Sequence, residues 1–186
     1  STNGTTWTGV VGSNNYKTYA LNYNGDFFLS YGVLSGNNYY CISNDGINWT
    51  LRTTSAPSGS VCWSPELSLF AACNTTTGNS PVMTSPNGIN WTTINIPGFT
   101  AYSVAYSDTL DQFVVTGTAA GANLYYSYNT ITWNPVNIPI SNTVSGAVWN
   151  NNNNKWILTG PATPQPTPFA NSTDGINWFI QPPNNI

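Results

Sequence analysis

Short apolar runs alternate with short polar breaks along this chain, and the alternation has a long period. Val61-Cys62-Trp63-Ser64 is followed, after a polar turn, by Leu69-Phe70-Ala71-Ala72. Val104-Ala105-Tyr106-Ser107 leads in the same way to Gln112-Phe113-Val114-Val115, and Ala147-Val148-Trp149-Asn150 to Lys155-Trp156-Ile157-Leu158. A looser first copy runs from Ala20-Leu21-Asn22-Tyr23 to Phe27-Phe28-Leu29-Ser30. Apolar-rich runs of this length, separated by Asn, Asp, Gly, Ser and Pro, predict strand, turn, strand. No segment of useful length carries the 3.6-residue period of an amphipathic helix.

A second pattern recurs in phase with the first. A Ser is followed two residues later by Asp or Asn and six residues later by Trp. The full copies are Ser43, Asp45, Gly46, Trp49; Ser85, Asn87, Gly88, Trp91; Ser127, Asn129, Trp133; and Ser172, Asp174, Gly175, Trp178. An earlier copy spans Ser1, Asn3 and Trp7. The Trp-to-Trp spacings are 42, 42, 42 and 45 residues, the period of a four-stranded propeller blade. Within a blade the apolar pair supplies the first two strands. A third strand ends at the motif Ser, Asp/Asn-Gly makes the next turn, and a fourth strand starts at the Trp. The Trp itself is expected to pack between neighbouring blades.

The predicted fold is therefore all-β: a β-propeller of four-stranded antiparallel blades, in one domain over residues 1–186. Four complete blades fall at about 13–54, 55–97, 98–140 and 141–183, with residues 1–12 as an extra N-terminal strand. Three fates for that strand stay open. The chain is a piece of a longer propeller, the strand packs elsewhere on a closed four-bladed ring, or it joins a neighbouring subunit by strand addition.

The motif resembles the Asp-box (BNR) repeat of sialidase-like propellers, Ser-x-Asp-x-Gly-x-Thr-Trp, in a shortened form, Ser-x-[Asp/Asn]-Gly-x-x-Trp. The resemblance implies the propeller fold. It does not bring the sialidase activity with it, because sialidases hold the substrate carboxylate with three Arg and this chain has one, Arg52. Two Lys do not replace bidentate guanidinium contacts. Asn3, Asn87 and Asn129 stand where the box has its acid, and Thr130 stands where the other copies have Gly.

Composition narrows the function. Charged residues make up 5% of the 186, the net charge is -3, and there is no His. Lys17, Arg52 and Lys155 are too few and too scattered to neutralise a run of phosphates, so nucleic acid is not an expected partner. Polarity comes from 28 Asn, 25 Thr and 18 Ser, a neutral hydrogen-bonding surface that suits an extracellular, virion-surface or cell-surface setting. No apolar stretch approaches the ~20 residues of a membrane-spanning helix. Cys41, Cys62 and Cys73 allow at most one internal disulfide, and each is equally readable as a small buried hydrophobe.

Catalysis is not expected. Without His, Ser-His and Cys-His nucleophilic systems are excluded, and the cysteines lack the paired spacing of a zinc site. Asp45 and Asp174 belong to the repeat turns, and Asp26, Glu66, Asp108 and Asp111 to hairpin tips, so no carboxylate pair is marked out for glycoside cleavage. No cofactor and no metal is expected. Two uses remain. One is a recognition or assembly module of a surface fibre or coat, with self-association by strand exchange or filament growth. The other is lectin-like glycan binding by Trp63, Tyr106, Trp149 and Trp156, aromatics whose first expected place is the core between blades.

Overall fold

The computed structural model describes residues 5, 17–34, 37–52, 59–74, 82–119, 121–138, 143–160 and 169–180. They form sixteen strands in four separate four-stranded antiparallel sheets. The first blade comprises β1 (Lys17–Tyr23), β2 (Phe28–Leu34), β3 (Asn37–Ser43) and β4 (Thr50–Arg52). The second comprises β5 (Val61–Ser64), β6 (Leu69–Cys73), β7 (Val82–Ser85) and β8 (Thr92–Ile94). The third holds β9 (Thr100–Ser107), β10 (Gln112–Thr118), β11 (Leu124–Ser127) and β12 (Asn134–Val136). The fourth holds β13 (Gly146–Asn150), β14 (Lys155–Thr159), β15 (Phe169–Ser172) and β16 (Phe179–Ile180). In every sheet spatial order follows chain order. The extra N-terminal strand expected at 1–12 lies outside the described residues, Thr5 excepted.

The hairpins between first and second strands are built by local polar groups. Ser64 Oγ and Ser107 Oγ accept the amides of Leu67 and Leu110, both at 3.1 Å, and Asn150 Oδ1 accepts that of Asn152 at 3.0 Å. The last loop residue, Ser68, Asp111 or Asn154, adopts φ of 48°, 48° and 47°, the left-handed turn that lets a short loop match strand twist. In the first blade Asn24 Oδ1 caps the amides of Asp26 and Phe27 instead.

Because side chains alternate across a strand, each sheet buries both faces only if it has a neighbour on each side. Three cores do this. Leu29 and Tyr40 of the first blade meet Val61, Phe70 and Ala72 of the second. Cys62, Ala71, Cys73 and Val82 of the second meet Ala101, Val104, Phe113 and Val115 of the third. Val114 and Leu124 of the third meet Trp156, Leu158 and Ala170 of the fourth. Correspondingly β1 packs beside β5, β5 beside β9, and β9 beside β13. Among the described residues none of these cores joins the fourth blade to the first. All three cysteines are buried, Cys62 and Cys73 inside the core between the second and third blades. Burial raises the Cys62 and Cys73 thiols well above the ordinary range, and the nearby Cys73 adds to the rise at Cys62.

Candidate functional site

The repeated motif closes as one hydrogen-bonded turn in every blade. In the first, Ser43 Oγ donates to Asp45 Oδ1 at 3.0 Å and accepts the Gly46 amide at 2.9 Å. Asp45 Oδ1 accepts the amides of Ile47 and Asn48 at 2.8 and 2.7 Å, and its Oδ2 accepts Asn48 Nδ2 at 2.8 Å. The fourth blade repeats this: Ser172 to Asp174 at 2.9 Å, the Gly175 amide at 2.9 Å, Ile176 and Asn177 amides at 2.9 and 2.7 Å, and Asn177 Nδ2 at 2.7 Å. Asn87 Oδ1 takes the amides of Ile89 and Asn90, and Asn129 Oδ1 those of Ile131 and Thr132, all at 2.9 Å. The acid is thus dispensable for the backbone part of the turn, since an amide oxygen accepts as well. The four motif serines are buried.

Electrostatics separate the acid turns from the amide ones. At Asp45 the backbone and side-chain donors of Asn48 and the amide of Ile47 hold the carboxyl far below the ordinary range. At Asp174 burial pushes upward, but the Asn177 amide and side chain, the Ile176 amide and Ser172 outweigh it and bring the carboxyl to about 2. The residue after the acid has φ of 71°, 66° and 71° at Gly46, Gly88 and Gly175, and Thr130 holds the same place at 61°.

The motif Trp does not open the fourth strand as expected. That strand begins one residue later in every blade, and in three of them the indole is held in the turn: Nε1 of Trp49, Trp133 and Trp178 donates to the carbonyl three residues back, at 3.2, 2.9 and 3.1 Å. Trp91, Trp133 and Trp178 pack on the core shared with the preceding blade. Trp49 has no preceding blade beside it among the described residues and is exposed, which corrects the expectation of inter-blade packing for that copy.

The candidate glycan-binding aromatics face the same cores. Trp63 packs at a tilt against Phe70 with ring centres 4.6 Å apart, Tyr106 likewise against Phe113 at 4.7 Å, and Trp149 meets Trp156 edge to face at 5.3 Å. All three outer partners are half-buried. Trp156 is wholly buried and donates Nε1 to Gln112 Oε1 at 3.0 Å, so it belongs to the core and offers no face to a ligand. Burial, and then Asp111, raise the Tyr106 hydroxyl to about 12, and that hydroxyl donates to Asp111 Oδ1 at 2.9 Å. Tyr23, stacked on Phe28 at 4.6 Å, is the fourth member of the set. Sequence reasoning missed it because its hairpin is shorter than the others, which puts the equivalent aromatic out of step.

Gln112 was also missed. Fully buried, it donates Nε2 to the Asp174 carbonyl at 2.9 Å while accepting from Trp156, and so ties the third blade to the fourth. Only its polarity inside an apolar run marks it in the sequence. Among the described residues no three His, Cys, Asp or Glu side chains come together as a metal would require.

No family model matches the chain, and no curated protein matches it either. Solved structures do. A GH74 enzyme of Niastella koreensis is 16% identical with a TM-score of 0.68, over 88% of this chain and 30% of that one. TolB from Acinetobacter baumannii is 9% identical with a TM-score of 0.64, over 92% and 45%. A virginiamycin B lyase from Staphylococcus aureus gives 11% and 0.64, over 88% and 54%. The fold is a β-propeller. At such identities the likeness extends to the fold alone, and this propeller chain spans roughly half or less of the length of those proteins. It also carries no helix long and apolar enough to cross a membrane among its described residues.

Proposed function

We propose that the chain is a non-catalytic propeller module with a shortened Asp-box repeat, serving recognition or assembly in an extracellular or virion-surface structure such as a fibre or coat. The observation that carries this reading is the character of the exposed surface. Tyr19, Leu21, Tyr23, Ile131, Val148 and Phe179 all stand in solvent on a chain with very few charges, and exposed apolar groups on a rigid frame mark interaction surfaces. Three of the six carboxylates are otherwise engaged: Asp45 and Asp174 fasten turns, and Asp111 holds a tyrosine hydroxyl. A nidogen/laminin complex lies among the structural neighbours at 8% identity and a TM-score of 0.63, an instance of the fold within a protein complex.

A second reading, lectin-like glycan binding, draws on Tyr23, whose ring is open on one side and backed by Phe28 on the other. Sugar C–H faces stack on such rings. One experiment addresses both. The protein is incubated with a panel of immobilised and soluble glycans, and retention and released reducing sugar are measured together. The module reading expects no release. Release that disappears in Asp108→Asn or Asp111→Asn overturns it. Retention lost in Tyr23→Ala and Trp63→Ala moves the assignment to the lectin.

A further inference from the structure

Each joint between blades is asymmetric, and the joints are alike. The later blade contributes its motif turn and the aromatic pair of its first hairpin. The earlier blade contributes the opposite face. Gly88 of the second blade lies against Leu29 and Phe27 of the first, and Gly175 of the fourth lies against Gln112 of the third. Among the described residues two faces of these kinds have no blade against them. The first blade presents the later-blade type, with Leu21, Tyr23, Phe28, Trp49 and the Asp45-Gly46 turn. The fourth presents the earlier-blade type, with Val148, Ile157, Phe169 and Lys155.

The inner blades provide the control. Val61 and Val104, which occupy the position of Leu21, are buried, whereas Leu21 is 57% exposed. Cys62 is buried where Val148 is 58% exposed, and Val82 and Leu124 are fully buried where Phe169 is 49% exposed. Gly88, Thr130 and Gly175 are buried while Gly46 is not. Lys155 stands where Gln112 stands one blade earlier. Gln112 reaches the Asp174 turn, so a lysine there would meet the Asp45 turn of the next first blade, opposite charge to opposite charge.

We infer that the fourth blade of one copy seats on the first blade of a second copy, extending the internal joint between molecules. This rests on the assembly reading above and names its partner: the chain itself, head to tail, through a heterologous contact that closes into a ring or runs on as a filament.

Two variants test it. One carries Leu21→Asp and Tyr23→Asp, which block the first-blade face. The other carries Val148→Asp and Lys155→Glu, which block the fourth. Every position is exposed at the surface or half-exposed, and circular dichroism and urea midpoints check that each variant folds. Mass is measured by light scattering against concentration. The native chain is expected at twice the monomer mass or more, and each variant alone as a monomer. Mixed together, the two are expected to give a one-to-one complex and nothing larger, because each retains the face the other lacks. A native chain monomeric at every concentration, or folded variants that still self-associate, would overturn the inference. The glycan panel decides the recognition reading separately, so a monomer that retains a target leaves that reading intact.

Discussion

Asp174 and Asp45 do the same work as Asn87 and Asn129 with one difference, a proton. A carboxyl lowered to about 2 when folded, against ~3.9 in an unfolded chain, adds stability that is complete above pH ~4. That stability is lost as pH falls through the folded value. Asp45 behaves in the same direction. The amide turns of the second and third blades do not titrate. Acid is therefore expected to loosen the outer two blades first. Asp45→Asn with Asp174→Asn should flatten the drop in urea midpoint between pH 4 and 2, at some cost at pH 7 because the Nδ2 bonds from Asn48 and Asn177 lose their acceptor. Thr130 is the other residue-scale anomaly. A β-branched residue at φ 61° carries a penalty of about 1–2 kcal/mol that Asn tolerates better. Thr130→Asn should raise stability by roughly 0.5–1 kcal/mol, read as a shift in thermal midpoint. The sequence marks Thr130 by its departure from the repeat. The exchange of Asp for Asn is equally visible there, and its acid consequence follows once the bonds are known.

Strands and hairpins were the most legible part of the chain. The alternation at 61–72, 104–115 and 147–158 places six inner strands, and the motif Ser places the end of each third strand at Ser43, Ser85, Ser127 and Ser172. What sequence did not reveal is which residues bridge elements. Gln112 sits where the other blades have Phe27, Leu69 and Lys155, and only its neighbours in space give it a task. Gln112→Leu removes the acceptor of Trp156 Nε1 and the donor to the Asp174 carbonyl. Leaving buried polar groups unmatched costs about 1–3 kcal/mol each. The expected result is a lower urea midpoint and faster amide exchange in β14 and β15, with β6 and β7 little changed. Gly117 is a similar case: an added Cβ would lie 1.9 Å from the Thr100 carbonyl oxygen and 2.8 Å from Phe99 Cζ. Gly117→Ala should destabilise by about 1–3 kcal/mol through forced displacement of β9.

At the scale of the molecule the described residues form a row of blades in which each core joins two sequence neighbours. Such arrays lose structure from the ends inward. The middle blades share two cores each and the outer blades one, so amide exchange should be slowest in β6, β9 and β10 and fastest in β4 and β16. Mutual pairing of outer blades between copies would raise protection there at high concentration, and dilution would remove it. The count and order of blades were readable from the Trp spacing. The openness of the two outer faces was not, because a repeat pattern reports what each blade is and not what stands beside its first and last members.

The three thiols give this array a set of clocks. Cys62 and Cys73 sit in the joint between the middle blades, and Cys41 lies in the first. A buried thiol reacts with a disulfide reagent only while its shelter is open. In a native chain the rate at which Cys41 takes up label measures the opening of the first blade. The slower pair measures the opening of the centre, without any introduced probe.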